Sequence, residues 1–298
     1  MVLRYLDFGG SLRRLKMVAV ADYTFPGGIF ELTDPMKKDF DEHGYFIVRG
    51  LVNEEELQKI NKTLTESEFC SHAYGIDDDV GSKSRMTLWS FPGNDVTGML
   101  ARCNKIAGTS EKLLGGEVYF YHGKLMMKDA FSGGRHLWHQ DYGYWYNNGC
   151  LTPDLLTVYV ALDKCTKENG CLQVIRGSQK CGRIDHSMVA GQTGIDRERL
   201  KQVMTKYEHI YVEMEPGDTL FFHSNLIHMA DQNKSDKRRW TLLYAYNLRD
   251  NNPVYVHHHP QYSYLEKVPD TAVKDCQNYT DLTGKHFLNP AIDKTVLH

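Results

Sequence analysis

His139-Gln140-Asp141 sets an imidazole and a carboxylate two residues apart, within the aromatic stretch Trp138 to Trp145. On a β-strand, side chains at i and i+2 leave the same face, so this pair can reach one metal ion together. A third ligand is needed. His228 is the leading candidate and His223 its rival; both follow Pro216-Gly217-Asp218-Thr219-Leu220-Phe221-Phe222, which reads as a turn and then an apolar strand. Two histidines and one carboxylate on one face suit a non-heme Fe(II) centre, because they leave positions open for a co-substrate and O₂. A lone His-x-Asp is a weak signal. It gains weight from Arg239, eleven residues after His228, at the head of the apolar run Trp240-Thr241-Leu242-Leu243-Tyr244.

Four ordered motifs carry a family resemblance. They are His139-x-Asp141, the stretch Glu168-Asn169-Gly170-Cys171-Leu172-Gln173-Val174-Ile175-Arg176-Gly177-Ser178, Gly217-Asp218 leading to His228, and Arg239. Together, from about Phe30 to about Asn247, they resemble the phytanoyl-CoA dioxygenase (PhyH) family of Fe(II)/2-oxoglutarate oxygenases. Arg176 and Gln179 stand where that family usually has proline and histidine. The resemblance implies a double-stranded β-helix, a mainly β jelly roll buttressed by N-terminal helices. It also implies Fe(II) with 2-oxoglutarate and O₂ as co-substrates, and hydroxylation of a small molecule with release of succinate and CO₂.

Carried onto this chain, the resemblance makes His139, Asp141 and His228 the iron ligands. The place of His223 at its strand end and the offset to Arg239 both favour His228. A carboxylate at Asp141 argues for hydroxylation, since related halogenating enzymes have a small residue there. Arg239 becomes the partner of the distal 2-oxoglutarate carboxylate, in keeping with the bidentate match of a guanidinium fork. Thr157 corresponds to a hydroxyl supporting that same carboxylate. Ala230 occupies a place where the family often has serine, so one contact to the co-substrate is missing. Trp145 stands where ectoine hydroxylase and similar enzymes wall their substrate pocket, and Tyr142 and Tyr144 flank it. On the preceding strand His122, Lys124 and Met126 share one face, which points inward in this fold. An inward lysine is costly unless it meets an anion, so Lys124 is a candidate for a substrate or co-substrate carboxylate. Gln140 and His136 read as structural or rim residues.

The elements that must position these groups are also legible. Thr33-Asp34-Pro35 starts a helix that Gly44 ends, with Met36 and Phe40 on one face. Tyr45 to Val48 follows as a strand. Asn53 and Glu56 form a capping box for a helix whose Leu57, Ile60 and Leu64 face the core. Residues 71–92 read as a polar loop around a solvated Asp77-Asp78-Asp79. Val96 to Ile106 is amphipathic, and Ser110 fits the cap of a further short helix. From Glu117 onward short strands alternate with Gly, Asn and Pro: 118–127, 156–162, 172–175, 209–214, 219–222 and 240–246. A helix at 196–207 lies in a long insert, 179–208, placed where a lid could sit. The organisation expected is an N-terminal extension, 1–29, and a single catalytic domain, 30–298, with its core at about 117–247. The tail after Asn247 wraps the barrel, and its His257-His258-His259 run reads as loop composition.

Bulk properties narrow the partners. The chain has 298 residues, 41% of them hydrophobic, enough to bury a sizeable core, and a net charge of −3. No basic block tracks a phosphate backbone, so nucleic acid is not expected, and no cluster stands ready for the phosphates of coenzyme A. Seven scattered cysteines without a C-x-x-C pair read as reduced thiols of an intracellular protein. No stretch has the apolar length of a membrane span. Arg4, Arg13, Arg14 and Lys16 suit a mitochondrial presequence, while cytoplasm is the default. The leading substrate class is an amino acid or amino-acid derivative. The alternatives are a lipid or acyl-CoA, or a non-catalytic sensor that holds iron and 2-oxoglutarate.

Overall fold

The computed structural model describes residues 21–78, 82–189 and 192–292. Its largest unit is a nine-stranded sheet. Eight strands run in the spatial order Asp22–Thr24, Tyr45–Arg49, Thr219–His223, Leu155–Ala161, Arg239–Leu248, Val118–Lys128, Lys83–Ser90 and His286–Phe287, and Tyr74–Asp77 also pairs with Lys83–Ser90. Every pairing is antiparallel except that of Asp22–Thr24 with Tyr45–Arg49. A four-stranded antiparallel sheet, in the order His209–Val212, Leu172–Ile175, His228–Ala230 and His136–His139, lies across from it. The two sheets enclose a cavity and form the double-stranded β-helix expected from the sequence.

Burial explains the strands. Leu155–Ala161 is buried at every position, as the centre of a covered sheet demands. Phe46 and Phe221 stack from adjacent strands with ring centroids 5.0 Å apart. In the sequence Asn169-Gly170, glycine is required twice over. Gly170 has φ +74°, and a Cβ there would lie 2.1 Å from the Asp231 carbonyl oxygen. That close approach brings the turn before Leu172–Ile175 against the chain just after His228.

The helical buttress follows the capping signals. Asp34–His43 is capped by Thr33 and ends at Gly44 in the left-handed region, and Met36 and Phe40 are buried. Glu54–Glu66 opens on a reciprocal Asn53–Glu56 box. Glu56 also meets Lys105 at 2.6 Å with both side chains buried, and Lys105 donates further to the Leu51 carbonyl. This one ion pair joins the capped helix to the irregular turn Asn104–Gly108.

Several expectations change. Residues 71–92 are a hairpin, Tyr74–Asp77 with Lys83–Ser90, and not a loop. The alternation there is masked by buried Ser84 and Thr87, whose hydroxyls donate to the carbonyls of Gly134 and Phe69. Asp78 is buried, not solvated; it accepts from the backbone N–H groups of Ser82 and Arg135. Asp79 lies outside the described residues. Ser110 is no cap: it sits inside Thr109–Leu114 and donates back to the Ile106 carbonyl at 2.9 Å. Asp22–Thr24 adds a strand to the main sheet ahead of the boundary drawn at residue 30. The basic residues read as a presequence lie in 1–20, outside the described residues. The tail wraps the body as anticipated, tying Val268 to Arg102 and ending in the strand His286–Phe287. All seven cysteines are free thiols, and no helix among the described residues is long and apolar enough to cross a membrane.

Lys105→Met should destabilise the fold by about 3–5 kcal/mol, because it strands Glu56 as a buried charge. Adding Glu56→Gln should recover part of that loss. Urea midpoints of the single and double variants check both statements.

Candidate active site

His139 ends one strand of the smaller sheet and His228 begins its neighbour, where the two are direct cross-strand partners. Their ring centroids are 4.1 Å apart. Asp141 is not on a strand: it opens the short helix Asp141–Trp145, after Gln140 in extended conformation. That extended residue preserves the i, i+2 relation, so the carboxylate still faces the imidazoles. Asp141 Oδ1 lies 3.8 Å from His139 Nε2 and 3.8 Å from His228 Nε2. These three are the one group of metal-ligating side chains that meets among the described residues, and all are buried.

The surroundings of the triad fix its chemical state. His139 Nδ1–H donates to the Leu137 carbonyl at 2.6 Å, and His228 Nδ1–H to the Leu226 carbonyl at 2.8 Å. Each bond leaves the Nε2 lone pair aimed at the shared point, the arrangement of a metal-binding histidine. Burial pushes both imidazoles below the ordinary histidine range, His139 far below it, so both are neutral ligands near pH 7. Asp141 Oδ2 accepts from Thr157 Oγ1 at 2.7 Å, which fixes the carboxylate and leaves Oδ1 turned toward the histidines. Gln140 faces away and is structural, as expected. Its amide bonds the carbonyls of Gly182 and Asn225 and the N–H of Ile184, while its own N–H donates to His186. His223 is not a ligand: its Nδ1 accepts from the Asn225 N–H at 3.0 Å, and its ring rests near Phe40.

A cavity of about 50 Å³ adjoins the triad, with Lys124, Met126, Lys128, Tyr159, Arg239 and Thr241 among its walls. Arg239 is 2% exposed and donates to the Tyr159 hydroxyl at 2.6 Å, but its Nε has no partner and neither has the Thr241 hydroxyl. Beside it, as cross-strand partner, lies the fully buried Lys128. The Lys128 ammonium donates to the carbonyls of Gly134 and Asp231, and burial pushes it well below the lysine range. No carboxylate among the described residues pairs with Arg239. A buried guanidinium with an idle donor is costly, and an incoming carboxylate would relieve that cost. The donor set therefore fits Fe(II), and the orphaned cation fits a co-substrate carboxylate some distance from it.

The remaining expectations divide. Lys124 and Met126 line the cavity; His122 sits one pleat further along the same strand. Thr157 does not stand beside Arg239 as the resemblance implied; it holds Asp141, and Tyr159, two residues on, takes the place next to the guanidinium. Tyr159 was missed, though Thr157-x-Tyr159 on a strand could have flagged it. His136, read as structural or rim, lines the cavity with its ring 4.5 Å from that of His139. Trp145 and Tyr142 do not line this cavity; they belong to an apolar cluster with Tyr119, Tyr121, Cys150 and Leu155. The Tyr144 hydroxyl donates to the Thr193 carbonyl in the insert hairpin, and its ring edge meets His139. A separate groove of about 860 Å³ gathers Lys180, Arg183, Arg199 and Lys206. Asp185 and Asp196 line the same groove, and Arg183 is paired with Asp185 at 2.8 Å.

Comparison with known proteins agrees with this geometry. A family model described as phytanoyl-CoA dioxygenase (PhyH) matches residues 40–241. An L-proline trans-4-hydroxylase of Streptomyces griseoviridis is 32% identical over 179 residues, covering 54% of this chain and 66% of that protein, just under two thirds of its length. A probable phytanoyl-CoA dioxygenase of Caenorhabditis elegans is 25% identical over 240 residues, covering 73% and 75%. Among solved structures, EctD from S. alaskensis with 2-oxoglutarate and 5-hydroxyectoine superposes with a TM-score of 0.67 at 21% identity, covering 80% of this chain and 88% of that one. That likeness shows the fold.

Burial lowers the His223 pKa from 6.5 to about 4. Above pH 6.5 the ring is neutral whether the chain is folded or not. Between 6.5 and 4 the unfolded chain takes up a proton that the fold refuses, so stability falls by about 1.4 kcal/mol per pH unit from this group alone. Urea unfolding at pH 7.5 and pH 5 should show the decline, with a shallower slope for His223→Asn.

Proposed function

The chain belongs to the phytanoyl-CoA dioxygenase family of iron- and 2-oxoglutarate-dependent dioxygenases, and from that premise we propose that it hydroxylates an unactivated C–H bond of an amino acid or amino-acid derivative. His139, Asp141 and His228 hold the iron in this reading. When bound with 2-oxoglutarate and O₂, that metal supplies the oxidation and releases succinate and CO₂. The protein's part is to bind and to orient. Leu137 and Leu226 hold the two imidazoles in one tautomer through their carbonyls, and Thr157 holds Asp141. Arg239, with Tyr159 and Thr241 beside it, receives the distal carboxylate of 2-oxoglutarate. Lys128, its Nζ already held by the carbonyls of Gly134 and Asp231, flanks that end, and Lys124 lines the cavity nearer the triad. The single observation that carries the assignment is the pairing, in one buried cavity, of an intact His/Asp/His set with an arginine that has no carboxylate of its own.

The amino-acid preference rests on the proline hydroxylase relative and on the polar groups that line the cavity, His136 and Lys124 among them. A second reading, an acyl-CoA substrate, has its own support. The cation-lined groove suits phosphates, and Ile184 in its wall is bonded to Gln140 between the two ligands of the metal motif. Against it, the groove also holds Asp185 and Asp196, and Arg183 is already paired with Asp185 at 2.8 Å. An intact catalytic set in an enzyme family leaves no call for a purely sensing role.

Incubation of the Fe(II)-loaded protein with 2-oxoglutarate, air and either free amino acids or acyl-CoA thioesters separates the two readings. Succinate release and a product heavier by one oxygen should appear with the amino-acid set. Appearance only with the thioesters would transfer the assignment to the second reading. His228→Ala should abolish both signals. Arg239→Met should raise the KM for 2-oxoglutarate by about 10- to 100-fold, the equivalent of a lost charged hydrogen bond.

A further inference from the structure

The strand pairing acts as a ruler across the cavity. Along the inward face of Val118–Lys128, alternate residues stand about 7 Å apart. Their partners on Arg239–Leu248 are Lys128 with Arg239, Met126 with Thr241, Lys124 with Leu243, and His122 with Ala245. The next strand puts Tyr159 level with Leu243 and Thr157 level with Ala245. The Arg239 end belongs to the co-substrate, and Asp141, held by Thr157, marks the metal near the His122 and Lys124 levels. His122 therefore lies level with Thr157, at the end of the ruler away from Arg239.

What stands there is unusual. His122 is stacked on His259 of the C-terminal tail, with ring centroids 4.7 Å apart and planes 19° apart. Both residues are 5% exposed, and Nδ1 of each is buried without a hydrogen-bond partner. Trp145 closes one flank, its ring 5.6 Å from that of His122. On its outer side His259 lines an open cleft of about 600 Å³, together with Phe91, Tyr262 and His286. Two buried imidazole nitrogens without hydrogen-bond partners, set among the rings of Tyr121, Trp145 and His258, each cost about 1–3 kcal/mol. On the inner side lies Lys124, partly buried and within the field of the Asp141 carboxylate, with no carboxylate at ion-pair distance among the described residues.

We propose that His122, His259 and Lys124 form the carboxylate-binding end of the substrate chamber, with Trp145 as its apolar wall. The proposal rests on the amino-acid reading above and deepens it. A neutral imidazole offers one N–H, and a carboxylate has room for two such donors and an ammonium. Binding there would hold the substrate's α-carboxylate outward and leave its side chain directed to the metal. The tail segment around His259 lies outside the family match at 40–241.

The test compares free L-amino acids, L-proline included, with their carboxamides as stimulants of succinate release by the full-length Fe(II)-loaded protein. For the wild type, the amide should have a KM at least about 10-fold above that of the acid, the loss of one charged hydrogen bond. His259→Ala and His122→Asn should raise the KM of the acid and shrink the acid-to-amide difference, with His259→Gln intermediate. The KM for 2-oxoglutarate should move less than about twofold, because its distal carboxylate sits at the opposite end of the ruler. Equal KM values for acid and amide in the wild type, or an acid-to-amide ratio untouched in the variants, would overturn the site while leaving the amino-acid reading in place. If neither acids nor amides stimulate succinate release, the amino-acid reading falls, and the site falls with it. The comparison within the wild type decides the question even if a variant fails to fold.

Discussion

An uncompensated positive charge in the barrel interior is the constraint on which the rest depends. Arg239 and Lys128 are cross-strand neighbours, both within the buried interior, and no carboxylate among the described residues neutralises the guanidinium. The Lys128 ammonium is satisfied by backbone carbonyls, but Arg239 is left with one donor to Tyr159 and an idle Nε. Desolvating such groups is among the most expensive arrangements a core can hold. The strands that carry these groups are paired along their length, Arg239–Leu248 with Val118–Lys128 on one side and Leu155–Ala161 on the other. An anion entering the cavity gains what the empty fold lacks, which is how stability given up in one place becomes affinity in another.

The metal ligands obey the opposite rule: every polar atom that does not face the shared point is occupied. Backbone carbonyls two residues upstream take the Nδ1 protons of both histidines, and Thr157 takes the spare oxygen of Asp141. These supports come from both sheets, so the site exists only when the sandwich is closed. The turn at Asn169-Gly170 matters for the same reason, because it presses against the segment that follows His228. A site built this way is set before any ligand arrives.

Much of this was legible in the sequence, for identifiable reasons. The ligands, Arg239 and the Asn-Gly turn are residues whose type is dictated by local chemistry, so their spacing survives as a readable pattern. Helix starts at Thr33 and Asn53 were legible because capping is a short-range interaction. The hairpin at 74–90 was not, because its buried hydroxyls are satisfied by carbonyls distant in the chain, such as that of Gly134. The place of Thr157 was misread for a similar reason. One pleat along the strand decides whether a side chain meets Arg239 or Asp141, and only the register with the neighbouring strand fixes that. Lys180, Arg183, Arg199 and Lys206 share one groove with Asp185 and Asp196 only because the insert folds back on itself. The stacked pair of His122 and His259 joins residues far apart in the chain, beyond any local pattern.

One buried cavity joins a ligand set that would hold iron to a cation set apart for the far carboxylate of 2-oxoglutarate. Anaerobic titration of the Fe(II)-loaded protein with 2-oxoglutarate, followed by visible charge-transfer absorption, tests it most directly. A band that saturates at one 2-oxoglutarate per chain is expected. Pyruvate, which keeps the keto-acid chelate but lacks the far carboxylate, should produce a similar band only at much higher concentration. Equal affinity for pyruvate and 2-oxoglutarate would contradict the role given to Arg239, and no band with either would contradict the metal site itself.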